Sequence, residues 1–260
     1  MKIITPCKAF VPQFEDCLKE KILVTTGQQD IEDADLIIFT GGEDINPERY
    51  GDANKYSIYN SARDELEFGV ANFIHRYFST KKILGVCRGL QLICASYGLH
   101  LIQDLYLEEK ISHPWQHPLD FHTDHWITKH LMGENVNSMH HQGIKGGNIR
   151  YFSIVASWKG VCEVLLSTRD LKNQYVLTQF HPEFMQDKIF FKNIISWVKG
   201  EGKDFIVKPI AKKRKTSQEM EQELHEELLR IRAEREFISG ADFRNHQNDA
   251  GVTYTLVESS

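Results

Sequence analysis

The chain has 260 residues, of which 41% are hydrophobic and 26% are charged, and its formal charge is −5 at pH 7. That length is sufficient to bury a large core, and the mild acidity argues against nucleic-acid binding as the main role. No apolar stretch reaches membrane-spanning length and the first residues do not resemble a signal peptide, so we expect a cytoplasmic protein with no membrane segment.

Strands and helices alternate along the first 200 residues. The first half predicts, in order, strand 2–5, helix 14–21, strand 22–25, strand 36–40, helix 62–77, strand 82–86 and helix 88–98. A polar, irregular stretch is expected at 99–134, followed by strands 150–157, 161–167 and 174–180 and an amphipathic helix at 187–199. This alternation predicts an α/β fold with a mainly parallel central sheet and helices on both of its faces.

A cysteine ends one of these strands at a sharp turn. Gly85 and Gly89 lie two residues before and two residues after Cys87, and an apolar helical pattern follows. Such a turn strains the backbone of the nucleophile and needs small neighbours. It also places the thiol at a helix N-terminus, where the helix dipole favours the nucleophilic thiolate. The pattern predicts covalent catalysis by Cys87. The chain has five cysteines, an odd and irregularly spaced set that favours reduced thiols over disulfides.

Another predicted strand ends in His181-Pro182-Glu183. The proline ends the strand and fixes the backbone between the two polar side chains. We expect His181 to accept the proton of Cys87, and Glu183 to hold the imidazole in the useful tautomer. Active sites in parallel sheets form beyond the C-terminal ends of the strands, which is where Gly41, Cys87 and His181 all fall.

Four segments carry a resemblance to a known family. The run around Cys87 resembles the nucleophile motif of class I glutamine amidotransferases, and His181-Pro182-Glu183 resembles their His-x-Glu motif. Residues 36–51 are similar to the Gly-Gly-x-Asp…Pro…Tyr-Gly stretch of the gamma-glutamyl hydrolase branch, and residues 136–142 to its Asn-Ser-x-His-His-Gln. The segments occur in family order between about residues 35 and 185.

The resemblance implies a flavodoxin-like three-layer sandwich, no cofactor, and a triad of Cys87, His181 and Glu183. It implies an oxyanion hole formed by the backbone amides of Gly42, in a glycine pair that leaves its N–H groups accessible, and Arg88, which follows the nucleophile. Other residues are expected to border the substrate. They are Gly41, Gln91, Ser138, His141 and Gln142.

These features predict attack of Cys87 on the γ-carbonyl of glutamine or a γ-glutamyl amide, followed by hydrolysis of a thioester. Three hypotheses stay open. The first is a stand-alone hydrolase of a small γ-glutamyl compound, and the second is a glutaminase component that delivers ammonia to a separate synthase. The third is a non-catalytic interaction protein, against which the intact Cys87, His181 and Glu183 argue.

Two polar groups have alternative interpretations. Seven histidines lie between residues 113 and 141, but their spacing does not fit a compact zinc motif and no cysteine lies among them, so no metal site is predicted. Adjacent side chains on an extended strand, such as His140 and His141, point to opposite faces. Arg63, Asp64 and Glu67 match a further family pattern or form a solvated helix face.

The composition changes after Gly200, so residues 1–200 are assigned to the catalytic domain. Residues 201–215 are expected to form a basic linker that contains the run 212–215, a solvated linker being favoured over a nuclear signal. Residues 216–260 are expected to form an amphipathic helix, with a capping box at Thr216 and Glu219, and a polar tail. The family resemblance does not cover this C-terminal helical extension, which could bind a partner helix or a synthase.

Overall fold

The structure, a computed structural model, describes residues 1–146, 149–201, 205 and 208–209. The predicted amphipathic helix and tail at 216–260, and most of the predicted linker at 201–215, lie outside the described residues. Within them, helices are too short or too polar to cross a lipid bilayer.

The elements follow one another in the predicted order, with several short additions. The N-terminal half contains β1 (Ile3–Thr5), α1 (Val11–Leu18), β2 (Ile22–Val24), α2 (Gln28–Asp33), β3 (Leu36–Phe39), α3 (Ser61–Tyr77), β4 (Lys82–Val86) and α4 (Arg88–Ser96). The middle contains α5 (Leu105–Glu109), β5 (Gln116–Pro118), β6 (Asp120–Phe121), β7 (Thr123–Asp124) and β8 (Asn135–Asn137). The last part contains β9 (Phe152–Trp158), β10 (Val161–Ser167), β11 (Gln174–Thr178), α6 (Ile189–Lys199) and β12 (Lys208–Pro209).

Eight strands of the described part form one twisted sheet in the order β2-β1-β3-β4-β11-β10-β9-β6. The first five of these are mutually parallel, which confirms the mainly parallel α/β sheet. The last three pairings are antiparallel. A tight turn explains the hairpin of β9 and β10, because Lys159 and Gly160 both take positive φ, at 48° and 80°. Two successive positive φ angles match the twist of paired antiparallel strands.

Both faces of the sheet are covered by helices. Ile37 and Phe39 of β3 point into a core shared with α3 and α4, and Leu36 and Ile38 point into a second core shared with α1 and α6. A strand buried on both faces needs an uninterrupted apolar run, and β3 supplies one in Leu-Ile-Ile-Phe. The result is the predicted three-layer arrangement.

The stretch 99–134, which was expected to be irregular, contains short elements. Asp104 caps the N-terminus of helix α5, because its carboxylate accepts hydrogen bonds from the backbone N–H groups of Tyr106 and Leu107. Strand β5 pairs with β8, and β7 pairs with β12, in two small sheets outside the central one. Elements of two to five residues are set by such local caps and pairings, which an apolar periodicity does not reveal.

Two glycines allow α4 to pack closely under the strands that carry the site. A Cβ on Gly85 would lie 2.7 Å from Leu177 Cδ2 and 2.9 Å from the carbonyl carbon of Gly89. A Cβ on Gly89 would collide with the carbonyl oxygen of Phe39. The helix therefore lies against the backbone of β3 and β4 with no room for side chains.

We expect Gly89→Ala to lower the free energy of unfolding by about 1–3 kcal/mol, because backbone must move to admit the methyl group. The matched control is Gly69→Ala. Gly69 lies within α3 with open space around its Cα, so alanine there should raise stability by about 0.5–1 kcal/mol. Urea unfolding followed by tryptophan fluorescence measures both, and equal effects of the two substitutions would contradict the close packing.

Candidate active site

Cys87 occupies the turn between β4 and α4. Its backbone has φ 52° and ψ −107°, a combination that residues other than glycine rarely adopt. The Cys87 N–H donates to the carbonyl of Thr178 at 2.7 Å, and the Gln91 N–H donates to the carbonyl of Cys87 at 3.2 Å. Hydrogen bonds on both sides hold the residue in this strained conformation, as expected for a residue that must present its side chain at the end of a strand.

His181 and Glu183 lie beside this turn. Strand β11 runs parallel to β4 with Thr178 opposite Val86, so both strands end at the same edge of the sheet. His181 Nδ1–H donates to Glu183 Oε1 at 2.7 Å, and Cys87 interacts electrostatically with the same ring. Each of the three residues is only 4% exposed. The structure therefore brings together all three residues of the predicted triad.

The neighbours of His181 control its charge. Burial lowers the pKa of His181, but the interactions with Cys87 and then with Glu183 outweigh burial and raise the pKa to about 10. The raised pKa of His181 determines how the free energy of unfolding depends on pH. The interaction stabilises the fold fully below the unfolded pKa of about 6.5, and this contribution is lost as the pH rises through about 10.

An NMR titration of the His181 ring should show it protonated at about pH 8 and losing its proton near pH 10. Glu183→Gln should lower this midpoint, because the amide carries no charge to stabilise the imidazolium. Glu48→Gln, at an exposed position, should leave the midpoint unchanged. A His181 midpoint near the ordinary value of about 6.5 would contradict the arrangement.

Neighbouring residues fix the position of His181. The side-chain amide of Asn137 donates to the His181 carbonyl at 2.7 Å and accepts from the His181 N–H at 2.8 Å. The rings of Phe10 and Phe184 pack against the imidazole, with ring centroids 5.7 Å and 5.6 Å away. Sequence reasoning assigned no role to these three residues. Phe10 precedes α1 in a left-handed conformation with φ 58°, which nothing in its sequence context indicates.

The glycine pair after β3 lies against the histidine. A Cβ on Gly41 would be 2.5 Å from His181 Cε1, so only glycine allows this approach. Gly42 has φ 153° and is flanked by the guanidinium of Arg63, which donates to the carbonyl of Gly41 at 2.8 Å. Arg88 is the first residue of α4, and its backbone N–H is one that an α-helix leaves without an internal acceptor. Both predicted oxyanion amides thus belong to the segments that surround Cys87.

A buried charge cluster supports these segments. The Arg88 guanidinium pairs with Asp64 at 2.5 Å and with Glu67, and Arg63 Nε donates to Glu67 at 3.2 Å. Asp64 and Glu67 are completely buried, which excludes the alternative of a solvated helix face. Burial lowers the pKa of Arg88 to about 10, so the side chain is a cation at neutral pH.

Most of the side chains predicted to border the substrate are engaged within the protein. Gln91 Nε2 donates to the carbonyl of Gln142 at 3.2 Å and to Gln179 Oε1 at 3.3 Å. Gln142 donates to Ser57 Oγ at 2.7 Å and accepts from the backbone N–H of Ile45 at 3.3 Å. Both glutamines therefore tie loops together at the edge of the site.

Ser138 and His141 are likewise occupied. The Ser138 hydroxyl is hydrogen-bonded to His113 Nδ1, and His141 points outward to Asp44, with Nε2 2.9 Å from Oδ1. The hydrogen bond to Asp44, opposed by burial, raises the pKa of His141. Substrate contact by these two residues and by Gln91 and Gln142 stays a prediction, since a substrate must add to or displace their present partners.

A second group of polar side chains converges outside the triad. The ring nitrogens of His113, His117 and His140 and a carboxylate oxygen of Glu163 all lie within 4.8 Å of one another. The irregular histidine spacing concealed this convergence, and Glu163 was not a candidate. The signal that could have identified it is a glutamate within the otherwise uncharged β10, whose seven residues are all buried.

The chain is similar to proteins of one known family. The model of the Peptidase C26 family matches residues 22–183, a range that contains Cys87, His181 and Glu183. A Schizosaccharomyces pombe protein, provisionally named a glutamine amidotransferase, is 34% identical over 59% of this chain and 64% of its own length. The glutamine amidotransferase-like protein YvdE of Lactococcus lactis is 33% identical over 57% of this chain and 66% of its own. The chain thus matches slightly less than two thirds of the length of these relatives.

Solved structures give the same fold. A Thermoplasma acidophilum protein, provisionally described as one subunit of a GMP synthase, has a TM-score of 0.57 and 19% identity over 77% of this chain and 94% of its own. A Thermotoga maritima glutamine amidotransferase has a TM-score of 0.50 and 12% identity over 77% of this chain and 81% of its own. At these identities the likeness shows the fold alone. The family match spans more than half of the chain, so the protein belongs to the Peptidase C26 family, within the class I glutamine amidotransferase-like proteins.

Proposed function

We propose that the protein hydrolyses a γ-glutamyl amide, either in glutamine or in a small γ-glutamyl compound, through a γ-glutamyl thioester on Cys87. The observation that carries this proposal is the convergence of Cys87, His181 and Glu183 at the ends of β4 and β11, where His181 Nδ1–H donates to Glu183 Oε1 at 2.7 Å. A nucleophile, a base and a group that orients the base are the elements that covalent acyl transfer requires.

In the first stage the Cys87 thiolate attacks the γ-carbonyl carbon of the substrate. The carbonyl oxygen becomes an oxyanion, and the backbone N–H groups of Gly42 and Arg88 stabilise it. Each such donor typically contributes about 3 kcal/mol to the transition state. The His181 imidazolium then donates its proton to the amide nitrogen, the carbon–nitrogen bond breaks, and ammonia or an amine leaves with the thioester in place.

In the second stage the neutral His181 takes a proton from water. The resulting hydroxide attacks the thioester carbon, the carbon–sulfur bond breaks, and glutamate leaves. Cys87 returns to the thiolate and His181 to the imidazolium, so the cycle consumes one water and one amide. Glu183 keeps Nδ1–H of His181 directed away from the substrate in both stages, which leaves Nε2 for the proton transfers.

A second candidate is a glutaminase that passes its ammonia to a partner synthase. The names of the relatives favour it, since the S. pombe protein is provisionally named a glutamine amidotransferase and the T. acidophilum neighbour is described as part of a synthase. The two candidates share the chemistry of Cys87 and differ in the leaving amine and in the need for a partner. An interaction protein without activity would not require the strained backbone at Cys87.

Glutamate release from L-glutamine and from a panel of γ-glutamyl amines separates these candidates. Fast release from one γ-glutamyl amine by the purified protein alone supports the hydrolase, and slow glutamine turnover that a synthase accelerates supports the second candidate. Cys7→Ala, at a partly exposed cysteine that is not part of the triad, should retain full activity. Release no faster than that of Cys87→Ala on every substrate would contradict the proposed chemistry.

A further inference from the structure

We propose that His113, His117, His140 and Glu163 bind one divalent transition-metal ion, with zinc as the best match. The site is separate from the triad and does not rest on the proposed reaction. His113 and His117 come from the segment around β5, His140 follows β8, and Glu163 lies on β10. Sequence spacing alone gave no indication of it, because the ligands come from three segments.

The distances fit a tetrahedral ion. Glu163 Oε1 lies 3.4 Å from His113 Nε2, 3.6 Å from His117 Nε2 and 3.8 Å from His140 Nε2. Zinc bonds of about 2.0–2.1 Å to nitrogen and oxygen, arranged tetrahedrally, place neighbouring ligand atoms about 3.3–3.4 Å apart. A contraction of a few tenths of an ångström around an ion would bring Glu163 Oε1 to this separation from each of the three Nε2 atoms, and the four ligand atoms as a set lie within 4.8 Å of one another.

Hydrogen bonds at Nδ1 leave the Nε2 atoms of the histidines facing the centre of the cluster. His117 Nδ1–H donates to the carbonyl of Pro118 at 2.9 Å, and His140 Nδ1–H donates to the carbonyl of Gln142 at 2.8 Å. A carbonyl can only accept, so Nδ1 of each ring carries the proton and Nε2 presents a lone pair to the centre. His113 Nδ1 is hydrogen-bonded to the hydroxyl of Ser138, which can donate or accept, and its Nε2 faces Glu163. Metal-binding histidines generally use their outer nitrogen for such hydrogen bonds.

The centre lacks any other partner for its polar atoms. Both carboxylate oxygens of Glu163 and the Nε2 atoms of His113, His117 and His140 have no hydrogen-bond partner in the described structure. The Glu163 side chain is completely buried, and the three histidine side chains are at most 5% exposed. Buried polar groups are nearly always paired. The three Nε2 lone pairs are acceptors and cannot donate a hydrogen bond to the Glu163 carboxylate. One cation would interact favourably with all three rings and with the carboxylate.

The surroundings indicate a closed site for a borderline-soft ion. The indole of Trp158 stacks on His117 with centroids 4.6 Å apart and contacts His113 edge-on at 4.8 Å, which fixes both rings. Three imidazoles and one carboxylate suit zinc and its transition-metal neighbours, whereas magnesium and calcium prefer oxygen ligands. Four protein ligands fill a tetrahedral zinc shell, as in structural sites.

An ion here would fix the histidine base of the triad at a distance. Ser138 and His140 lie one and three residues after Asn137 in the chain. The Asn137 side chain is hydrogen-bonded to the backbone of His181. The ion would anchor that segment to β10 and so keep Asn137 in place. Its removal should expose the His181 N–H, which is bonded to Asn137, to faster hydrogen–deuterium exchange.

Metal analysis of wild-type protein, without a polyhistidine tag and grown with added zinc, provides the test. We expect one zinc ion per chain, recovered after chelation by titration of the apoprotein with Zn²⁺. Glu163→Gln and His140→Ala should lower the affinity at least 10-fold, and His125→Asn, at a buried histidine outside the cluster, should leave it unchanged. A folded wild type that takes up less than 0.1 equivalent of Zn²⁺, Co²⁺, Mn²⁺ or Fe²⁺ would overturn the proposal.

A second readout protects the test against misfolded variants. Apo wild type loaded with Co²⁺ should develop the intense visible absorption of a tetrahedral site, which Glu163→Gln should lose while its circular dichroism stays native. Retention of this spectrum in both Glu163→Gln and His140→Ala would place the ion elsewhere and overturn the assignment. Chelation should lower Tm of wild type by about 5 °C or more, and glutamate release plays no part in any of these readouts.

Discussion

Cys87→Ala should reduce the kcat for glutamate release by roughly 10⁴-fold or more, because removing the nucleophile abolishes the thioester pathway. Any residual rate would come from water attacking a substrate that the oxyanion amides still polarise. Cys87→Ser should be almost as inactive, since a neutral hydroxyl beside His181 is a much weaker nucleophile than a thiolate. Steady-state assays with the preferred substrate measure both variants.

The same position should show a conflict between stability and activity. Cys87 has φ 52° and ψ −107°, a conformation that costs a residue with a side chain about 1–3 kcal/mol and glycine far less. We therefore expect Cys87→Gly to be inactive and yet more stable in urea than Cys87→Ala by about 1 kcal/mol. A lower stability for the glycine variant would show that the turn at Cys87 is unstrained.

Arg88→Met should lower the free energy of unfolding by about 3–5 kcal/mol, because Asp64 and Glu67 would lose their shared cation in the protein interior. Arg63 would still contact Glu67 at 3.2 Å, so Asp64 is the carboxylate left without a charged partner. Methionine has a similar volume, which separates the loss of charge from a cavity. Equilibrium unfolding in urea at pH 7 gives the difference directly.

An exposed ion pair provides the control for this substitution. Lys19→Met removes the partner of Asp16 at a site where both side chains are more than 70% exposed, and stability should change little. The triple variant Arg88→Met, Asp64→Asn, Glu67→Gln should recover part of the loss, since it buries no unpaired charge. No recovery would mean that Arg88 acts through packing and that the ion pairs contribute little.

The fold was predictable from the sequence because its signals are local. Apolar runs such as Leu36–Phe39 and Lys82–Val86 identified buried strands, and the spacing of glycines around Cys87 identified the turn. The order of these strands in the chain then placed Cys87 and His181 at one edge of the sheet, where the structure has them. Periodicity and turn chemistry depend on neighbours within a few residues, and sequence reasoning handles that range well.

Contacts between distant segments were beyond that reasoning. Asn137 is bonded to His181, 44 residues away, and Gln142 to Ser57, 85 residues away, so neither partner could be paired by inspection. The glutamine side chains expected to border the substrate also bond to carbonyl, hydroxyl and N–H groups of distant loops. Glu163 joined the histidine cluster only once β10 was placed next to β11. Contacts of this kind depend on how the whole chain is arranged in the fold.

In the proposed reaction Cys87, paired with His181, accepts a γ-glutamyl group. Peptide mapping by mass spectrometry, after incubation with a glutamine analogue that carries an electrophilic ketone at the γ position, tests it most directly. We expect one adduct per chain, on Cys87, slowed by excess glutamine and greatly slowed in His181→Ala. Adducts on the partly exposed Cys7 or Cys17 with Cys87 unmodified would contradict the account.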